Sequence, residues 1–280
     1  PSFSGWALLQ PSAVNKGRLS ALRHRQFLVY WLGSFASVGA TQLQVMGLGW
    51  LVWELTSNAL TLGYLGMAAG LPAIIMTLFG GVLADRFDRR KLLMLTSILT
   101  ALLLAALAYL DFSGIVVAWH VIAIAAAISL ITGIDWPARQ AIFPALIERE
   151  DMMSAVALTT IIWQTTRMVM PAFGGIIIAY ADTWVLFAFC SLGFFSMFFI
   201  MLSIKIKVSI TESSLSVIRQ LTEGIEFILH DRTFLMLISL SYAIFFFASS
   251  HMQLMPAFAD RLGVDAQGFG YLLSITGIGA

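Results

Sequence analysis

The chain has 280 residues, of which 59% are hydrophobic and only 11% charged, and its formal net charge is +1. Soluble globular chains carry about 25% charged residues, so this composition excludes a surface that faces water all round. The basic residues are parcelled out between apolar runs and form no basic face that would hold a nucleic acid, and the single cysteine, Cys190, excludes an intrachain disulfide.

A bilayer core takes about 20 apolar residues in helix. Runs of that kind are predicted at 27–53, 60–83, 92–110, 115–134, 156–180, 184–204 and 234–259. They are unbroken rather than alternating in polarity, which fits helices and not barrel strands. The first run is long and follows basic residues, so it reads as a span and not as a signal peptide. An eighth run begins near 268 and is cut short at Ala280, and the first residue is not Met. The chain is therefore read as a fragment of a longer protein.

The basic residues set an expected orientation. Lys16, Arg18, Arg23 and Arg25 precede the first run. Arg86, Arg89, Arg90 and Lys91 separate the second from the third, Arg139 and Arg149 the fourth from the fifth, and Lys205, Lys207, Arg219 and Arg232 the sixth from the seventh. All fall on one side. Only Arg261 falls on the other, and Arg167 lies inside a run. The N-terminus is thus expected in the cytoplasm of a multi-pass protein of a bacterial inner or plasma membrane. Within 209–231, Leu215, Ile218, Leu221, Ile225 and Ile228 recur at helical spacing and predict an amphipathic helix on the cytoplasmic surface.

The sequence also repeats itself. At an offset of 207, Arg25, Phe27 and Leu28 meet Arg232, Phe234 and Leu235, and Gly63-Tyr64-Leu65 meets Gly270-Tyr271-Leu272. Ser34, Ala36, Leu55, Ala59, Gly70 and Ala73 also find identical partners without a gap. Six runs lie in one repeat unit, an even number, so the two copies share an orientation. The expected fold is an all-α membrane protein of two parallel six-helix repeats, the second truncated, with substrate bound between the halves. The expected divisions are a cytoplasmic segment (1–26), a six-helix bundle (27–204), a cytoplasmic linker (205–232) and the start of a second bundle (233–280).

The loop after the second run reads Gly81-Val82-Leu83-Ala84-Asp85-Arg86-Phe87-Asp88-Arg89-Arg90-Lys91. It resembles the signature loop of the major facilitator superfamily, with Asp88 where that family usually has glycine. The resemblance implies a gating role for Gly81, Asp85, Arg86, Arg89 and Arg90, latching helix ends in one access state. Pro137-Ala138-Arg139-Gln140-Ala141-Ile142-Phe143-Pro144, with Arg149-Glu150-Asp151-Met152, Arg167 and Leu55-Thr56-Ser57-Asn58-Ala59-Leu60-Thr61-Leu62-Gly63, is similar to the transmembrane secretion effector branch, which includes enterobactin exporter-like proteins. Pro171, Gly174 and Gly175 resemble the fifth-helix motif of proton-driven antiporters, with Met170 in place of its glycine.

Residues expected to carry chemistry are polar groups at membrane depth. Arg167 lies mid-helix, where a charge is expensive and usually faces a cavity or an ion partner. Gln42, Gln44, Gln164 and His251 are the other cavity candidates. Gln44 and His251 are mates in the repeat, and a histidine can titrate near neutral pH. Gly66 and Gly70 form a face of small residues suited to packing. HExxH, Gly-x-Ser-x-Gly and Walker patterns are absent from the sequence, so the expectation is a non-enzyme with no cofactor and no metal. The expected function is secondary export of a small amphipathic molecule of drug or siderophore type, coupled to protons, by a monomer in the lipid bilayer. An importer of the same fold and an intramembrane enzyme are the alternatives.

Overall fold

The computed structural model describes residues 20–204 and 230–279, with the side chains at 77–86, 143–144, 242 and 245–251 outside that description. The predicted amphipathic helix at 209–231 lies almost wholly outside it. Among the described residues the chain is helical throughout: α1 Arg25–Thr56, α2 Ala59–Arg86, α3 Arg89–Phe112, α4 Ala118–Ile142, α5 Met152–Ala181, α6 Thr183–Ser203, α7 Arg232–Gln253, α8 Met255–Arg261 and α9 Ala266–Ile278. The first six of these are long and apolar enough to cross a membrane.

Two boundaries differ from the sequence reading. The fourth run was expected to stop near 134, but α4 continues through Pro137 to Ile142. Proline removes one hydrogen bond and crowds the preceding turn. In lipid the alternative is unsatisfied backbone, so the helix goes on. The seventh run is two helices, parted at Leu254, with Pro256 in the first turn of α8, where its missing N–H costs nothing.

Small residues let the helices approach. A Cβ on Gly33 would lie 2.8 Å from the Ile200 side chain, and one on Gly193 would lie 2.9 Å from the Ala36 carbonyl. Helices α1 and α6 therefore pack along most of their length. Leu186, Phe187, Cys190 and Phe194 of α6 are buried with Leu43, Leu48 and Leu51 of α1 in the main core. Lipid is as apolar as these side chains, so close packing rather than water exclusion holds them together.

Hydroxyls repair the ladder beside two prolines. After Pro72 in α2, the Ala73 N–H donates to Ser129 Oγ of α4 (2.9 Å), and that hydroxyl donates to the Ala69 carbonyl (2.6 Å). Ser129 thus bridges a donor and an acceptor of α2 one turn apart. After Pro171 in α5, the Ala172 N–H donates to Ser274 Oγ of α9 (2.9 Å). A neighbour's serine is one of the few partners a kinked helix can find in hydrocarbon.

The loop between α2 and α3 is tightly built. Asp88 is the N-cap of α3, and its Oδ1 accepts from the Arg90 N–H (2.9 Å) and the Lys91 N–H (3.4 Å). Its φ is −60°, a value open to any residue, so the loop closes without the family's usual glycine and gains a cap.

Candidate functional site

The start of α1, the end of α4 and the start of α5 lie at one end of the bundle. Between α1, α4 and α5 lies a cavity of about 290 Å³. Phe27, Tyr30, Trp31 and Ser34 of α1 line it, facing Trp136, Arg139 and Gln140 of α4 and Thr160, Trp163 and Gln164 of α5. A smaller cavity of about 60 Å³ continues toward the bundle core and is lined by Thr41, Gln44, Thr100, Thr132 and Asp135. Val38, Trp136, Arg139 and Trp163 line both.

Arg139 is the charged centre of this site. Its side chain is only 12% exposed. Nε donates to Asp135 Oδ2 (2.5 Å), one helical turn back, and Nη1 donates to Ser37 Oγ of α1 (3.1 Å). The other carboxylate oxygen of Asp135 accepts from Thr96 Oγ1 of α3 (2.7 Å). Each oxygen of Asp135 thus has one partner, and the guanidinium is held with its Nη2 unpartnered among the described residues. A buried pair of this kind is stable only when each member is hydrogen-bonded, and here α1, α3 and α4 all contribute.

Aromatic rings form the walls. Trp136 and Trp163 meet edge to face with centroids 5.3 Å apart. The Trp31 indole donates to the Leu158 carbonyl (3.1 Å). In contrast, neither the Trp136 nor the Trp163 indole has a hydrogen-bond partner among the described residues.

Of the residues expected from sequence, Gln164 lines the larger cavity and Gln44 the smaller. Gln44 is 6% exposed, and its Oε1 has no hydrogen-bond partner. Gln42 and Arg167 are half-buried and line neither cavity. Arg167 has no hydrogen bond or ion pair among the described residues. Its backbone carbonyl would lie 2.8 Å from a Cβ on Gly277 of α9. His251 lies in α7, its side chain outside the description.

The fifth-helix glycines have distinct neighbours. Gly174 faces Leu43 and Met46 of α1 and Leu186 of α6, whereas a Cβ on Gly175 would come within 2.6 Å of the Ala266 carbonyl. Gly270 lies against the Pro171 carbonyl and Gly175. Helices α5 and α9 therefore touch backbone to backbone from Arg167 to Gly175, beyond the cavity.

Of the gating-loop residues, Gly81, Asp85 and Arg86 have side chains outside the description. Arg90 Nε and Nη2 donate to the Met201 (2.7 Å) and Leu202 (2.9 Å) carbonyls at the end of α6. Arg89 Nη1 donates to the Ala141 carbonyl at the end of α4 (3.1 Å). Both cations thus serve the negative ends of helix dipoles.

Sequence reasoning missed Arg139, Trp136 and Trp163 as site residues. Arg139 counts with the loop cations in the sequence because the fourth apolar run stops near 134. The signal that could have found it is the i,i+4 spacing of Asp135 and Arg139, which pairs the two only if the helix continues.

Comparison with known proteins bears on what this arrangement is for. The family described as transmembrane secretion effector, of the major facilitator group, matches residues 16–280. Over 154 residues the chain is 29% identical to the staphyloferrin A transporter of Staphylococcus aureus, covering 55% of this chain and 36% of that protein. It is 23% identical over 152 residues to macrolide efflux protein A of Streptococcus pyogenes, covering 54% and 38%. The chain thus spans little more than a third of the length of these relatives.

Proposed function

The chain belongs to the transmembrane secretion effector family of the major facilitator superfamily, and on that premise we propose that it is the substrate-holding part of a secondary exporter of small amphipathic molecules. The observation that carries this reading is the cavity between α1, α4 and α5, polar at its centre and aromatic at its walls. A site that is mostly apolar with a few convergent polar groups suits such a ligand.

Alternating access needs an element with two arrangements. The proposed element is the boundary between the bundle at 27–204 and the one that starts at 233. In the conformation described here, α5 and α9 meet at the end away from the N-terminus, while the cavity lies at the other end. With the N-terminus in the cytoplasm, as the loop cations suggest, this is a state that loads from inside. Arg89 and Arg90 latch the loop after α2 to the ends of α4 and α6, and Asp85 is the proposed acidic member of that latch. The driving force is a proton gradient, a reading supported by the Pro171, Gly174 and Gly175 motif. Arg167 stands where α5 passes from cavity to contact and serves the substrate or the proton path, together with Gln44, Gln164 and, from α7, His251.

Transport by the full-length protein in proteoliposomes tests this reading, with a panel that includes a siderophore and a macrolide and with imposed pH gradients. Uptake into inverted vesicles that collapses with the gradient is the expected result. Movement of no panel member, or movement only in the inward direction, would overturn it. Labelling of cysteines placed at Ser57 and Ser214 in intact cells tests the orientation, with only Ser57 expected to react.

A further inference from the structure

The ionisable groups around the larger cavity are unequal in sign, and that inequality points to a class of cargo. Among the described residues, Arg139 and the Tyr30 phenol line it and no carboxylate does. Asp135 lines the smaller cavity beyond, where one of its oxygens accepts from Thr96 and the other from Arg139. A cationic cargo in the larger cavity meets a guanidinium edge and, among the described lining residues, no carboxylate. An anionic cargo meets Arg139, whose Nη2 has no partner among the described residues, between the Trp136 and Trp163 rings, whose indole N–H groups have none among them either. Donors left unpaired in a site of low dielectric are what a carboxylate satisfies best, because hydrogen bonds to a charged acceptor are about twice as strong as neutral ones.

The aromatic walls add a second requirement. Trp136 is 44% exposed and meets Trp163 edge to face, so these two rings, both lining the cavity, offer aromatic surface to a flat ring. Arg139 stands one turn of α4 beyond Asp135 and beside Trp136, which places a ring-bound carboxylate within reach of both. Gln44, with an amide oxygen that has no partner, lines the inner cavity and accepts from a hydroxyl or amide at the far end of the cargo.

We propose that Arg139, Trp136 and Trp163 form an anion subsite, and that the exported molecule bears a carboxylate or an equivalent delocalised anion attached to a flat ring. This rests on the export reading above, but its test is a binding measurement that does not depend on transport.

The probes are 1-naphthoate and 1-naphthylmethylamine, matched in ring and opposite in charge. Binding to the full-length protein is measured in nanodiscs of neutral phosphatidylcholine. The naphthoate is expected to bind at least tenfold more tightly. Replacing Arg139 alone leaves Asp135 buried without its partner, so the informative variant is the neutral pair Asp135→Asn/Arg139→Gln. It is expected to bring naphthoate and the amine to equal affinity. Trp163→Leu, which keeps the charge pair, is expected to weaken both probes. Equal binding of the two probes by the wild type, or full naphthoate affinity in the double variant, would overturn the proposal. Nanodiscs containing phosphatidylglycerol separate the sources of the anion. Unchanged naphthoate affinity there supports a soluble cargo, and displacement by the lipid gives the subsite to a headgroup and overturns the cargo assignment. If naphthoate binds as expected while no panel substrate moves, the export reading fails and the subsite stands.

Discussion

From Val156 to Gln164, α5 presents side chains to a cavity. From Arg167 to Gly175 the same helix presents backbone to α9. Both halves are apolar in composition, so hydrophobicity does not distinguish them. The difference lies in side-chain size. Tryptophan, threonine and glutamine hold neighbours apart and leave room, whereas proline and glycine let another helix come down onto the main chain. In a membrane, where apolar burial gives little preference between lipid and protein, such fit is what decides which surfaces close. Arg167 stands at the junction of the two halves.

The comparison is broken most severely at Gly175. A side chain there has to displace the Ala266 carbonyl, 2.6 Å from the position of its Cβ, and overpacking of a tight contact costs about 1–3 kcal/mol or more. Gly175→Leu is expected to reduce transport by at least about tenfold and to abolish cross-linking between cysteines placed at Ala172 and Ser274. Normal transport and normal cross-linking would mean that the closed end needs no backbone contact.

Arg167→Met asks what the junction is for. A central arginine costs about 2.5–3.5 kcal/mol on insertion scales, and this one has no partner among the described residues to offset that. The variant is expected to fold with equal or greater thermal stability and to lose most transport. Retained transport would make Arg167 indifferent to function. Failure to fold would show that it is held by a structural bond.

The serines that repair the proline kinks sharpen the comparison at intermediate size. Ser129→Ala and Ser274→Ala each remove hydroxyl bonds to backbone, worth about 0.5–1.5 kcal/mol apiece. Ser129 bridges a donor and an acceptor in α2, whereas Ser274 serves a single N–H in α5. Ser129→Ala is therefore expected to lower the unfolding midpoint more, and equal shifts would remove the distinction.

The smallest effects are expected where glycine faces nothing. A Cβ on Gly63 or Gly70 meets no atom within 4 Å. Alanine at either position is expected to be neutral or to stabilise the helix by up to about 1 kcal/mol, with transport unchanged. A large loss at Gly70 would restore the packing role that its spacing from Gly66 suggests.

The membrane class and the order of the first six long helices were legible, because a run of apolar residues matched to bilayer thickness has few other readings, whereas the break of the seventh run at Leu254 was not. The site was legible only in part. Gln44 and Gln164 could be singled out as polar groups at depth. Arg139 could not, because its meaning depends on whether α4 survives Pro137, and the membrane rather than local propensity decides that. The glycines of α5 and α9 pair across about a hundred residues of sequence, and composition alone does not distinguish Gly175, against a carbonyl, from Gly70, against nothing. Asp88 looked like a departure from a pattern until its carboxylate was seen to cap α3.

Helix α1 has 32 residues and its neighbour α6 has 21, which at 1.5 Å per residue is about 48 Å against about 31 Å. A hydrocarbon core of about 30 Å is matched by the shorter helix, so the excess of α1 stands in the headgroup layer. Gly33 packs against Ile200, close to the end of α6, and Phe27, Tyr30 and Trp31 therefore sit at that boundary. An amphipathic molecule accumulates there before any protein binds it. The concentration that the cavity meets is then set by partitioning from water into the leaflet, and the apparent Kd will follow the lipid composition of the bilayer even when every contact in the site is unchanged.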